Sequence, residues 1–163
     1  MIKMTKLDPI AEFREDHRKV RDGLLELIKA LQLKDVAKAR KILGNINVLV
    51  GPHFRYEEET LYPALRVLLG EHVDQLLEEH DGVIATARSC ANLLKKDNLT
   101  DEEAKQAANA ARTLLIHVSN CDGLSILSER LSNKEIDNLS EKLAVSREAG
   151  VPLLDWAETI RGK

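Results

Sequence analysis

With only two cysteines, Cys90 and Cys121, in 163 residues, the chain has no disulfide framework to read. Its opening segment, MIKMTKLDPI, lacks the apolar run of a secretory leader, so the expectation is a reducing, cytoplasmic setting. No apolar stretch approaches the roughly 20 residues that cross a bilayer, which removes the membrane as a partner. The 24 basic residues are outnumbered by 27 acidic ones, and no basic block is present to track phosphates, which argues against nucleic acid. Two-residue alternation of apolar and polar positions, the mark of a half-buried strand, is missing as well. So are the motifs of several catalytic classes: H-E-x-x-H, paired C-x-x-C and the serine nucleophile elbow. No glutamate stands three residues before any histidine, which excludes the E-x-x-H pairs of ferritin-like di-iron sites.

What is present is helical from end to end. The chain is 44% hydrophobic and 31% charged, enough for one all-α domain with a core that needs no staples. Asp8-Pro9 predicts an N-cap followed by proline in the first turn, after which Ile10, Phe13, His17, Val20, Leu24, Leu27 and Leu31 recur in steps of three and four. A second helix from near Asp35 turns Ile42, Ile46, Leu49, His53 and Tyr56 or Glu57 inward. Pro52 predicts a kink in it, and Pro63 and Gly70 punctuate its end. A third helix, from about Glu71 to Lys96, carries Val73, Leu76, His80, Val83 and Ala87. Thr100 with Glu103 forms a capping box that opens a fourth, with Ala107, Ala110, Leu114, His117, Cys121 and Leu124 facing inward.

His17, His53, His80 and His117 therefore each occupy a slot where an aliphatic side chain belongs. A buried imidazole must find a partner for each ring nitrogen, and four converging in one interior point to a metal as that partner. The gaps nearly repeat, 36 residues from His17 to His53 and 37 from His80 to His117. Antiparallel helices joined by a short loop bring to equal height the residues equally far from that loop. The midpoint of the first pair falls at Lys34 and Asp35. That of the second falls between Asn98 and Leu99, where the pattern breaks. Glu57 and His80 straddle a point close to Gly70, which puts Glu57 in the same layer. The expectation is an up-down-up-down four-helix bundle holding four histidines and a carboxylate at one level. His53 and Glu57 form an H-x-x-x-E pair, roughly 6 Å apart on one helix face, near enough to reach one ion or to bridge two.

The stretch His53-Phe54-Arg55-Tyr56-Glu57-Glu58-Glu59-Thr60-Leu61-Tyr62-Pro63, together with Asp16-His17 and Glu79-His80, resembles the H-F-x-x-E-E-x-x-L-[FY]-P pattern of hemerythrin-like, or HHE cation-binding, domains. The resemblance implies a four-helix bundle with a non-haem iron site, usually two irons bridged by carboxylates. It gives His17 and His53 as terminal ligands of one iron, Glu57 as a bridge, and His80 and His117 as ligands of the other. Two positions depart. Leu76 stands where hemerythrins proper have a second histidine on the third helix, which thins the shell of one iron. Cys121 stands four residues after His117, where many HHE domains repeat the glutamate, with Asp122 beside it. Asp122 is favoured as the second carboxylate, because carboxylate bridges suit hard iron better than a thiolate. Cys121 lies nearer the inner line, since Asp122 is rotated about 100° from it. It is the alternative, as a thiolate ligand or as a core residue.

Overlaying His17 on His80 and His53 on His117 also pairs Val20 with Val83 and Glu57-Glu58 with Cys121-Asp122, so the halves read as copies of one hairpin. Glu58 then reads as a solvated glutamate or a support for a ligand, His72 as surface, Cys90 as core, and the run from Arg14 to Arg21 as a solvated face. Residues 1–130 are expected to form the bundle and 131–163 a C-terminal helical extension, opened by a Ser132–Glu135 capping box and ending in Leu153, Leu154, Trp156 and Ile160. This tail packs on its own bundle or meets a second copy in a homodimer. The expected function is a non-haem iron protein that binds or senses O₂, NO or another small diatomic ligand at an open coordination position, or handles iron. The alternatives are a di-iron redox enzyme, for peroxide or NO removal or iron–sulfur repair as in some relatives, and a degenerate bundle acting as an interaction module. Manganese or zinc would suit the same donors.

Overall fold

The computed structural model describes residues 6–162, all of whose regular structure is helical. Residues 1–5, which begin the MIKMTKLDPI segment read above for a leader, lie outside the described residues. Helix α1 spans Pro9–Gln32, its start set by Asp8, whose Oδ1 accepts from the N–H of Ile10 and Ala11 at 3.1 and 3.2 Å. Lys34, with φ of 54°, turns the chain, and Asp35 caps α2, Val36–Tyr56. Helix α2 runs unbroken through Pro52. Its hydrogen-bond ladder instead widens into a π turn over Glu57–Leu61, and α3, Tyr62–Leu69, continues the rod. Pro63 lies in the first turn of α3, directly after the π turn, and does not interrupt the rod, so Gly70 alone ends it, at φ 57°.

Helix α4 covers His72–Leu93, ending a little earlier than the periodicity predicts, and α5 covers Asp101–Asp122 from the Thr100–Glu103 capping box. A short α6, Leu124–Ser128, precedes α7, Asn133–Ala149, and α8, Leu153–Arg161. The molecule is a helical bundle. Helix α1 packs along α2 and α5, α4 lies against α3 and α5, and α7 and α8 pack onto α2. No helix of the described chain is long and apolar enough to cross a membrane.

Two apolar clusters fill the interior. One contains Val20, Val50, Phe54, Ile84, Ala111 and Trp156; the other contains Phe13, Tyr56, Tyr62, Leu76, Cys121 and Leu143. On α1, His17 stands between Phe13 of one cluster and Val20 of the other. On α4, His80 stands between Leu76 and Ile84, and on α5, His117 between Ala111 and Cys121. The imidazoles thus fall where one apolar cluster gives way to the next. Trp156 is 5% exposed, within the cluster that holds Val20, Phe54, Ile84 and Ala111. A Cβ at Gly51 would lie 2.0 Å from the carbonyl oxygen of Val151, so only glycine lets the segment leading into α8 rest directly on the α2 backbone.

Candidate metal centre

Each of the four histidines has a carboxylate at its Nδ1. His17 meets Asp122 Oδ1 at 3.0 Å, His53 meets Asp16 Oδ2 at 3.0 Å, and His80 meets Glu58 Oε2 at 2.7 Å. His117 lies 3.3 Å from Glu79 Oε2. A carboxylate can only accept, so Nδ1–H donates and Nε2 is the nitrogen left for an ion. The arrangement follows the internal duplication. The acid just before the first histidine of a hairpin, Asp16 or Glu79, serves the second histidine of that hairpin. The acid five residues after the second histidine, Glu58 or Asp122, serves the first histidine of the other hairpin.

Glu57 is the node of the inner cluster and is fully buried. His17, His53 and Glu57 each bring a donor atom within 4.8 Å of the others, a spacing that one cation can span. Glu57 Oε1 lies 3.1 Å from His53 Nε2 and 3.5 Å from His80 Nε2, while Oε2 accepts from Tyr62 Oη at 3.0 Å and from Cys121 Sγ at 3.1 Å. The Tyr62 oxygen is also 3.0 Å from His80 Nε2, and the Phe54 ring stacks on His80 at 3.7 Å between centroids. His17 and His53 meet edge to face at 4.8 Å, and His80 and His117 at 5.9 Å. The first pair thus opens onto Glu57 Oε1, whereas Tyr62 and Cys121 close the side facing Oε2.

Charge is distributed to match. Burial would lower His53, but the Glu57 and Asp16 carboxylates outweigh it and hold the imidazole up at about 10. Burial likewise opposes ionisation of Glu57, yet His53 and His80 hold it well below the usual carboxylate range. His17 and His117 are pushed down, first by burial and then by the neighbouring histidines His53 and His80. Burial, reinforced by the Glu57 charge, pushes the Cys121 thiol well above its ordinary value, which keeps it a neutral donor. Two buried polar atoms of the layer lack a hydrogen bond among the described residues: Glu57 Oε1, close to His53 but misaligned with it, and Nε2 of His117. A carboxylate oxygen and an imidazole nitrogen so placed cost free energy unless something else satisfies them, and a cation fits both.

The structure therefore gathers His17, His53, Glu57 and His80 directly, with His117 beside His80. Cys121 lies inside, on Glu57, while Asp122 is half-exposed and engaged with His17 and, at 3.4 Å, with Arg14. Glu58 sits on His80, His72 is exposed and Cys90 is buried. Periodicity did not single out Tyr62, because the π turn rotates it onto the face of Glu57. The supporting acids Asp16 and Glu79 had a visible signal in the repeated acid-histidine dipeptide. Arg147 and Arg161, which reach Asp16 and Glu58, had none.

An apolar cavity of about 60 Å³ is lined by Phe54, Leu114, Val118 and His117 and, from α8, by Leu153 and Leu154. Neither a curated protein nor a solved structure matches the chain. A family model for the hemerythrin HHE cation binding domain matches residues 8–122, the span that supplies every histidine of the layer and every carboxylate at its Nδ1 positions. The chain belongs to the hemerythrin HHE cation-binding domain family.

Proposed function

We propose that the chain holds a non-haem iron centre and uses it to bind or sense O₂, NO or a similar small diatomic ligand, or to handle iron, in the cytoplasm. The observation that carries this reading is the buried group of His17, His53 and Glu57, with donors within 4.8 Å of one another. One ion would be held there. A second would take His80 and His117, with Glu57 between the two, once the Tyr62 hydroxyl gives up Nε2 of His80. Asp122 and Glu58 orient His17 and His80, and Cys121 donates to Glu57. Residues 1–130 serve as an up-down-up-down four-helix bundle and 131–163 as its extension, a reading supported by the packing of α1 on α2 and of α4 on α3 and α5.

Iron in this position supplies an open coordination site and exchangeable electrons. The chain's own residues set access: the cavity beside Phe54 and His117 is lined by apolar side chains, which favours a small uncharged ligand over an ionic substrate. A redox enzyme is the second reading, favoured by Tyr62 and Cys121, two oxidisable groups hydrogen-bonded to the same Glu57 oxygen.

Loading the full chain with iron without air should leave about two ions per chain after desalting, the stoichiometry of di-iron bundles. His53→Ala and His117→Ala should each lower that content. Reversible uptake of O₂ or NO supports the binding reading, whereas turnover of peroxide or NO supports the enzyme. A wild-type chain that retains no iron, manganese or zinc would leave only the interaction module.

A further inference from the structure

We propose that Arg147 of α7 and Arg161 of α8 are positioning residues of the metal centre, fixing His53 and His80 through the carboxylates of Asp16 and Glu58. The inference rests on the metal-binding reading above. It extends the centre into two helices that lie beyond residue 122, outside the matched family span.

Both arginines act as forks. Arg147 places Nη1 on Glu12 Oε2 and Nη2 on Asp16 Oδ1, each at 3.1 Å, and the other Asp16 oxygen accepts from His53 Nδ1 at 3.0 Å. Arg161 places Nη2 on Glu58 Oε2 at 2.7 Å and Nε on Asp81. The Glu58 oxygen that it holds is the one that accepts from His80 Nδ1, at 2.7 Å. Each supporting carboxylate is therefore pinned between a guanidinium and an imidazole. The carboxylate of each pair is shielded, the Asp16 side chain being 6% exposed and that of Glu58 11%, while the arginines keep 32% and 20% of theirs in solvent. Arg161 also lies over the Trp156 ring, 5.4 Å from its centroid, which fixes the guanidinium from behind.

A carboxylate held on one side only can swing, and the imidazole it orients swings with it. A bound ion tolerates little of that, since ligand geometry must hold within about 0.5 Å. Field and position act with opposite sign here. Removing a positive charge near a cation site should tighten cation binding, while releasing the carboxylate should weaken it. Weaker binding therefore reports position.

The test compares full-length wild type, Arg147→Gln and Arg161→Gln for Fe²⁺ affinity by chelator competition without air, with Mn²⁺ as a second probe. Thermal melting and Trp156 emission of the metal-free proteins report whether α8 stays docked. Each glutamine variant should bind about 10- to 100-fold more weakly, as ligand-supporting partners do. Arg147→Gln should add nothing to the loss caused by Asp16→Asn, nor Arg161→Gln to that of Glu58→Gln, because each pair acts through one contact. Arg→Lys should recover part of the loss, since an ammonium cannot reproduce both arms of a fork. If a glutamine variant does not fold, its lysine variant carries the comparison. The Nδ1–H NMR signals of His53 and His80 in the metal-free protein should broaden in the matching variant. Affinity equal to or above wild type, or losses that simply add in the double variants, overturns the proposal. A wild type without metal overturns the metal reading, and the NMR signals then decide whether the arginines position the rings.

Discussion

Glu57 lies within 3.5 Å of polar atoms on Tyr62, Cys121, His53 and His80, and the division of labour between Cys121 and Asp122 follows from that. Oε2 already receives the Tyr62 hydroxyl and the Cys121 thiol, while Oε1 faces the histidines. Cys121 therefore contributes a proton to Glu57, whereas Asp122 contributes an acceptor to His17. A serine hydroxyl can donate in place of the thiol, so Cys121→Ser is expected to keep most of the metal content. Asp122→Asn frees the His17 ring and should weaken binding by about 10- to 100-fold. Chelator competition on the two variants checks this. A larger loss in Cys121→Ser than in Asp122→Asn would return the thiolate to the ligand set.

At the scale of the helix, the π turn between α2 and α3 builds the site. In an α-helix, residues five apart point about 140° away from each other. Widening the ladder over Glu57–Leu61 brings Tyr62 back over Glu57, and their side chains meet at 3.0 Å. The sequence marks the turn only through its consequences, because no residue type encodes a π turn by itself. The docking of α8 has a sharper requirement in Gly51, where a Cβ would collide with the backbone of Val151 and Leu153. Gly51→Ala should cost about 1–3 kcal/mol, the usual range for overpacking, lowering the melting temperature by several degrees. Emission of the single tryptophan, Trp156, should shift to the red as α8 lifts. An unchanged spectrum and melting temperature would show that the contact yields elsewhere.

For the whole molecule, metal, proton and fold are linked. His53 faces Asp16 and His17 from α1 and Glu57 from one turn further along its own rod, and in the metal-free protein the acids hold it at about 10, above its ordinary 6.5. The raised value means that the protonated ring stabilises the metal-free fold fully below about 6.5, and that this contribution fades as pH rises through about 10. A metal ion must displace that proton, so apparent affinity should climb with pH across the same window. Metal present at about 100 times its dissociation constant should add roughly 2.7 kcal/mol to stability, with the gain growing as pH rises. Melting curves with and without Mn²⁺ at several pH values check the sign. A gain that shrinks toward high pH would contradict the charge assignment at His53.

The sequence by itself determined the helices, their caps at Asp8, Thr100 and Ser132, and the family. It also showed that His17, His53, His80 and His117 interrupt apolar stripes, because helical periodicity and capping are local properties of neighbouring residues. Only the tertiary structure decided which carboxylate meets which imidazole. Asp16 serves His53 across a hairpin, and Asp122, the last residue of α5, serves His17 from 105 residues further along the chain. Such pairings depend on how the helices are rotated and packed, which no local pattern records. The same reason hid Arg147 and Arg161: a charge near the end of the chain reads as solvated until folding lays it beside a buried acid.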